Sequence, residues 1–157
     1  MTEIEESSII RYVLDKSGVS DAYFDELPDG YAMPAVYFLP PKIKSSRETL
    51  TTYRLRHAWE IKFYHQGNRQ AFKMASDVQN ALESGRLLIP ITDEQGKATD
   101  ESLRLRKTKI KNSKKEKGAV RLKLKWDSHY KFADQEAEKM MLHKTTFNNK
   151  VSVKNAD

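Results

Sequence analysis

The sequence predicts an α+β fold: a mixed or antiparallel β-sheet of four to five strands with helices packed on one face, plus an extended polar hairpin or arm. Three observations carry this. Between Trp59 and Phe63 the apolar residues Trp59, Ile61 and Phe63 alternate with Glu60 and Lys62, the period of a half-buried strand. After Gln66-Gly67 the period changes. Ala71, Phe72, Ala75, Val78, Gln79 and Leu82 recur at three- and four-residue steps, with Asn68 at the N-cap and Gly85 as a C′ stop, which is an amphipathic helix. Near the other end, Val120, Leu122, Leu124 and Trp126 alternate with Arg121, Lys123 and Lys125. A strand feeding directly into a helix is the simplest two-layer core, so Trp59, Ile61, Phe63, Phe72, Val78, Leu82, Leu122 and Leu124 are assigned to it.

In chain order, Ile9, Ile10, Val13 and Leu14 form a helical stripe headed by Ile4 and stopped at Ser17-Gly18. Residues 19–33 read as an ordered connection rather than a strand. Ala35–Leu39 reads as a strand ended by Pro40-Pro41, and as the partner of the strand at Trp59. Residues 42–57 are polar and threonine-rich, too long for a tight turn, and are assigned to a projecting arm or hairpin. Arg86–Ile91 is a short strand, Asp93–Gly96 a turn and residues 97–101 a polar linker. Leu103 and Leu105 alternate with Arg104 and Arg106, and Ile110 breaks that parity, which predicts a bulge between Lys107 and Lys109 or an early end to pairing there. Residues 112–118 form a mobile basic turn, Phe132–Leu142 has a helical pattern, and 146–157 is a loose tail beyond a single domain of 1–145.

With 157 residues the chain suits one domain able to bury a core without staples. Its 38% hydrophobic and 32% charged content is polar for a compact monomer, and fits either long solvated segments or a surface buried on assembly. The absence of cysteine excludes a disulfide, a thiolate metal site and a thiol nucleophile. The acidic start has too short an apolar run for a signal peptide, and no stretch approaches the ~18 apolar residues of a membrane span, so a soluble cytoplasmic product is expected.

Catalytic patterns are scarce. His57, His65, His129 and His143 are far apart and without ligand spacing, and there is no HExxH, GxSxG, Walker A loop or GxGxxG. Asp77, Glu83, Asp93, Glu94, Asp100 and Glu101 read as solvated carboxylates on a helix face and at turns. No catalytic residue, metal or cofactor is therefore assigned.

Charge is the sharpest feature. Residues 1–40 carry −6, residues 41–101 carry +2, residues 102–125 carry +10, and the remainder is neutral. Arg104, Arg106, Arg121, Lys123 and Lys125 on one sheet face, continued by the lysines of the turn, match either a phosphate-binding surface or a solvated or protein-facing one. Single-strand binders interleave stacking aromatics with such charges, and here the one aromatic, Trp126, falls on the apolar parity.

The order of elements, with the strand texts Pro34–Leu39, Glu60–His65, Arg86–Ile91 and Ala119–Asp127, resembles the tail terminator proteins of long-tailed bacteriophages, including the lambda-type minor tail proteins, over about residues 4–130. The related head-to-tail joining and tail-completion proteins share this architecture. The resemblance implies an α+β subunit forming a hexameric ring that caps the tail tube, halts its growth and offers a surface to the head-tail connector protein. It implies a location in the tail or neck of the virion after assembly in the host cytoplasm, with tail tube protein and further copies of the chain as partners. The family supplies no catalytic residues to carry over. The acidic first 40 residues of one subunit are suited to meet the +10 hairpin of the next, and Lys42, Lys44 and Arg47 on the arm to reach a neighbour or the tube. The alternative is a small nucleic-acid-binding module working through the 102–125 hairpin.

Overall fold

In the computed structural model, which describes residues 2–112 and 115–133, two helices and seven strands follow in the order α1 (Thr2–Ser17), β1 (Ala22–Phe24), β2 (Ala35–Phe38), β3 (Lys42–Arg47), β4 (Thr52–Tyr64), α2 (Asn68–Ser84), β5 (Leu88–Thr92), β6 (Ala98–Asn112) and β7 (Ala119–Lys131). They make a mixed sheet of order β1-β2-β4-β7-β6-β5, with β3 paired to β4 off this path. The α+β class stands, but seven strands replace the expected four to five. The extra ones are short or polar: β1 lies in the segment read as a connection and pairs parallel to β2, while all but one residue of β3 are exposed. Residues 98–101, read as linker, open β6. Strands with so few buried side chains leave little period-two signal.

By contacts the described residues divide into two compact units, 2–44 with 56–127, and 45–55 with 128–133. In the larger unit α1 has acidic residues Glu3 and Glu5 in its first turn and Lys16 in its last, which suits the helix dipole. It ends where Gly18 takes φ +73, a left-handed conformation open to glycine. The helix buries Ile9 and Val13 completely. Its Ser8 hydroxyl donates to the Ile4 carbonyl at 2.7 Å and accepts the Thr92 N–H at 3.0 Å, fixing α1 to β5.

Helix α2 buries Ala71, Met74, Ala75, Val78 and Leu82. These share one core with Ile9 and Val13 of α1, Val36 and Phe38 of β2, Trp59, Ile61 and Phe63 of β4, and Leu122, Leu124 and Trp126 of β7. Burying a leucine- or phenylalanine-sized side chain contributes about 1.5–3 kcal/mol, so this cluster dominates the larger unit's stability. Phe72 corrects the core assignment: it is 43% exposed, one position round from Ala71, and Met74 fills the stripe instead. The stop at Gly85 holds, while the N-cap and the conformation of the stop differ from expectation. Gly67, not Asn68, occupies the N-cap, and Gly85 has φ −88, while Arg86 and Leu87 take the left-handed angles of 60 and 61. That turn lets the Leu87 N–H reach the Leu82 carbonyl at 2.7 Å and its own carbonyl accept the Leu105 N–H at 2.8 Å.

Strand β2 runs antiparallel to β4 with Val36 opposite Phe63 and Phe38 opposite Ile61, the pairing expected from sequence. On the other face a smaller cluster holds Ala35, Tyr64 and Ala119, flanked by Tyr23, Leu27, Tyr31 and Tyr37.

In the smaller unit the β3–β4 turn is closed by the Glu48 N–H to Thr52 carbonyl bond at 3.2 Å and by the Thr49 hydroxyl, which lies 2.6 Å from that of Thr52. His129 Nδ1 lies 2.9 Å from a Glu48 carboxylate oxygen, and Tyr53 packs on Tyr130 and Phe132. The hydrogen bond from His129 holds the Glu48 carboxyl below its usual range. Phe132 and Ala133 are outside any helix; the remainder of the expected 132–142 helix and the tail of 146–157 lie outside the described residues, as do Ser113 and Lys114 of the basic turn.

Candidate functional site

The open face of β6 and β7 is where charge gathers, and a bulge puts it there. Leu105 pairs with Trp126, but Lys107 pairs with Lys125, so the register slips by one residue at Arg106 rather than between Lys107 and Lys109 as expected. Odd positions face the core before the slip and even ones after it. Leu103 and Leu105 are buried; beyond the slip Thr108 lies opposite Leu124 and Ile110 opposite Leu122, and the Gln79 amide of α2 donates to the Thr108 hydroxyl at 3.2 Å. Lys107, Lys109 and Lys111 are thereby turned to the face away from α2.

On that face they meet Lys125, Lys123 and Arg121, each lysine directly across the ladder from another cation. With Glu60 these six line a concavity of about 170 Å³. Like charges directly opposite on an antiparallel pair destabilise it. Glu60 lies 3.4 Å from Arg121, and among the described residues the five lysines make no ion pair.

The structure therefore sorts the cations singled out by sequence. Arg121, Lys123 and Lys125 are together in the concavity. Arg104 and Arg106 are exposed but outside its lining: Arg104 donates to the Arg86 carbonyl at 3.2 Å, and Arg106 lies 3.5 Å from Asp127. Lys42, Lys44 and Arg47 are exposed on β3. Lys107, Lys109 and Lys111, which the sequence reading has leading round the turn, stand on the strand itself across from Lys125, Lys123 and Arg121; the signal for this is the parity break at Ile110, which relocates every residue between it and Leu105.

The end of the basic turn is pinned beside this face. Lys62 donates to Glu116 at 2.7 Å and the Tyr64 hydroxyl donates to the same carboxylate at 3.2 Å. The Lys62 bond holds the Glu116 carboxyl below its usual range, while burial and then the Glu116 charge push the Tyr64 hydroxyl up. The Gly118 N–H donates to the Asn68 side-chain oxygen, and its carbonyl accepts the His65 N–H at 2.9 Å. Gly118 has φ +78, and a Cβ there would collide with the His65 carbonyl oxygen.

A second surface of the larger unit has the opposite sign. At the start of α1, the β5–β6 turn and the first residues of β6, Glu3, Glu94, Asp100 and Glu101 are exposed around two shallow depressions of about 540 and 650 Å³ that share Ile4, Thr92 and Asp93. Arg11 ties the two elements together, donating to the Thr92 hydroxyl at 2.6 Å and to the Asp93 carbonyl at 2.9 Å.

His57, which has no ligand spacing in the sequence, lies in the core. It is 1% exposed, stacked on Trp126 at 4.5 Å with an interplanar angle of 1°, and its Nε2 lies 3.9 Å from Glu5. It shares the parity of Trp59, Ile61 and Phe63, which was the signal for burial. Burial pushes its pKa down, against the raising effects of Glu5 and Asp127. Among the described residues no group of three or more histidines, aspartates or glutamates is arranged to hold a metal ion, and no helix is long and apolar enough to cross a membrane.

No family model matches the chain. It is 26% identical to the phage-like element PBSX protein XkdJ of Bacillus subtilis strain 168 over 132 residues, covering 84% of this chain and 88% of that protein. It is 28% identical to the uncharacterized protein YqbJ of the same organism over 126 residues, covering 80% and 84%. Among solved structures it resembles a chain of the virion of a native gene transfer agent particle, with 12% identity, a TM-score of 0.46, and coverage of 76% of this chain and 84% of that one. A relative of this chain is thus encoded by a phage-like element.

Proposed function

We propose that this protein is a structural subunit of a phage particle: a tail terminator that forms a ring at the head-proximal end of the tail tube, ends tube polymerisation and presents the surface to which the head connector attaches. The observation that carries the reading is the likeness to a phage-like element protein along 84% of the chain, taken with the tail-terminator resemblance of its element order. Two features support it. The larger unit carries surfaces of opposite charge, and heterologous contacts of that kind close into rings when the subunit rotation permits. Among the described residues the fully buried histidine, His57, stacks on Trp126 in the core rather than lining a cleft.

On this reading the protein acts by shape and valency. It occupies the last tube interface, and no bond is made or broken. The test is to add the purified chain to polymerising tail tube protein and measure tube lengths by electron microscopy. Tubes should stop growing, with mean length falling as the ratio of terminator to tube protein rises. A length distribution that ignores the added chain would contradict the proposal.

A further inference from the structure

We propose that the lysine face of β6 and β7 is the docking surface for a second copy of this chain, and that it receives the acidic edge built by the start of α1, the β5–β6 turn and the first residues of β6. The inference rests on the ring reading above and gives that ring its interface. The first support is the state of the lysine face. Lys107, Lys109 and Lys111 oppose Lys125, Lys123 and Arg121 in three alternate cross-strand pairs that share one face, and one carboxylate, Glu60, stands among them. Such an arrangement costs stability in the lone chain and is relieved when carboxylates of a partner cover it.

The second support is that the same chain presents the complement. Glu3, Glu94, Asp100 and Glu101 are exposed at one edge of the larger unit and, among the described residues, make no ion pair. Ile4, 45% exposed between them, offers an apolar anchor inside a charged rim. Arg11 and Ser8 brace the edge from α1 to β5, so it is held in shape before any contact. The two patches are different surfaces of one chain, which makes the contact heterologous and able to propagate from copy to copy.

Nucleic acid explains the lysine face less well. Glu60 lies inside the concavity, where its charge repels phosphate, and no aromatic side chain lines it for base stacking. A nucleic-acid partner also leaves the acidic edge without a role.

The experiment uses two charge-reversed full-length variants, K109E/K123E/K125E on the basic face and E94K/D100K/E101K on the acidic edge, compared with wild type by sedimentation across a concentration series. Each variant alone should associate at least about tenfold more weakly than wild type, since placing like charges in contact costs more than the ~1.4 kcal/mol that tenfold represents. Mixed one to one, the reversed face of the first variant meets the reversed edge of the second, while the native edge of the first meets the native face of the second, and association should return to within about threefold of wild type. Thermal melts of each variant establish that it is folded.

Wild type that associates while both variants associate equally well overturns this interface and leaves the ring reading intact. Wild type that neither associates nor shortens tubes overturns both. DNA binding that the basic-face variant loses, with self-association unchanged, assigns the lysines to nucleic acid and overturns the inference.

Discussion

Lys109 of β6 stands directly opposite Lys123 of β7, with the pairs Lys107–Lys125 and Lys111–Arg121 on either side. Cross-strand like charges destabilise a sheet by about 0.2–1 kcal/mol per pair. The isolated chain should therefore be stabilised by Lys109→Glu by an amount of that order, seen as a higher urea midpoint with an unchanged slope. A lower midpoint would mean that the lysines are not in register.

Gly118 should tolerate no side chain. Its φ of +78 and the His65 carbonyl facing it place two separate obstacles before Gly118→Ala, a left-handed alanine and a collision with backbone. A loss of about 2–4 kcal/mol is expected from strain of this kind, read as a fall in unfolding free energy. Asn68→Ala, which removes the acceptor for the Gly118 N–H, should cost about 1–3 kcal/mol because it leaves a partly buried donor unsatisfied.

Stability should fall on mild acidification through His57. Burial on Trp126 lowers its folded pKa beneath the ordinary 6.5, so the folded state prefers the neutral ring and the unfolded chain takes up the proton first. The contribution is fully present above pH 6.5 and is lost as pH falls below it toward the folded value. Urea midpoints between pH 7.5 and pH 5 should decline in wild type and decline less in His57→Gln. Parallel curves would contradict this.

Phe72 and Val78 lie on one helix and should respond oppositely to truncation. Val78 is fully buried in the cluster shared with Ile61 and Phe63, and Val78→Ala should cost about 1–3 kcal/mol. Phe72, 43% exposed, should accept Gln within about 0.5 kcal/mol. Equal losses in thermal unfolding would show that α2 is rotated from the orientation described.

These residues also show what the sequence made legible. Trp59, Ile61 and Phe63, and Leu122 with Leu124, were assigned to the core by alternation alone, because a strand with one wet face writes its burial into every second letter. A helix stripe is less sharply bounded. Ala71, Met74, Ala75, Val78 and Leu82 fill it, and only the fit against the sheet decides that flexible Met74 turns in and Phe72 out. The parity break at Ile110 announced a bulge, but its place at Arg106 is a matter of backbone pairing that side-chain order does not specify, and that place decides which lysines face outward. Asn68 was read as a cap because its type suits one, whereas its partner, Gly118, is 50 residues away. Contacts of that range leave no local trace.

The proposal that this chain closes a tail tube as a ring is tested most directly by imaging tubes assembled in its presence and locating it on them. The account predicts density for the chain at one end of each tube, arranged as a sixfold ring. Density distributed along the tube, or tubes that bear none of the chain at either end, would contradict it.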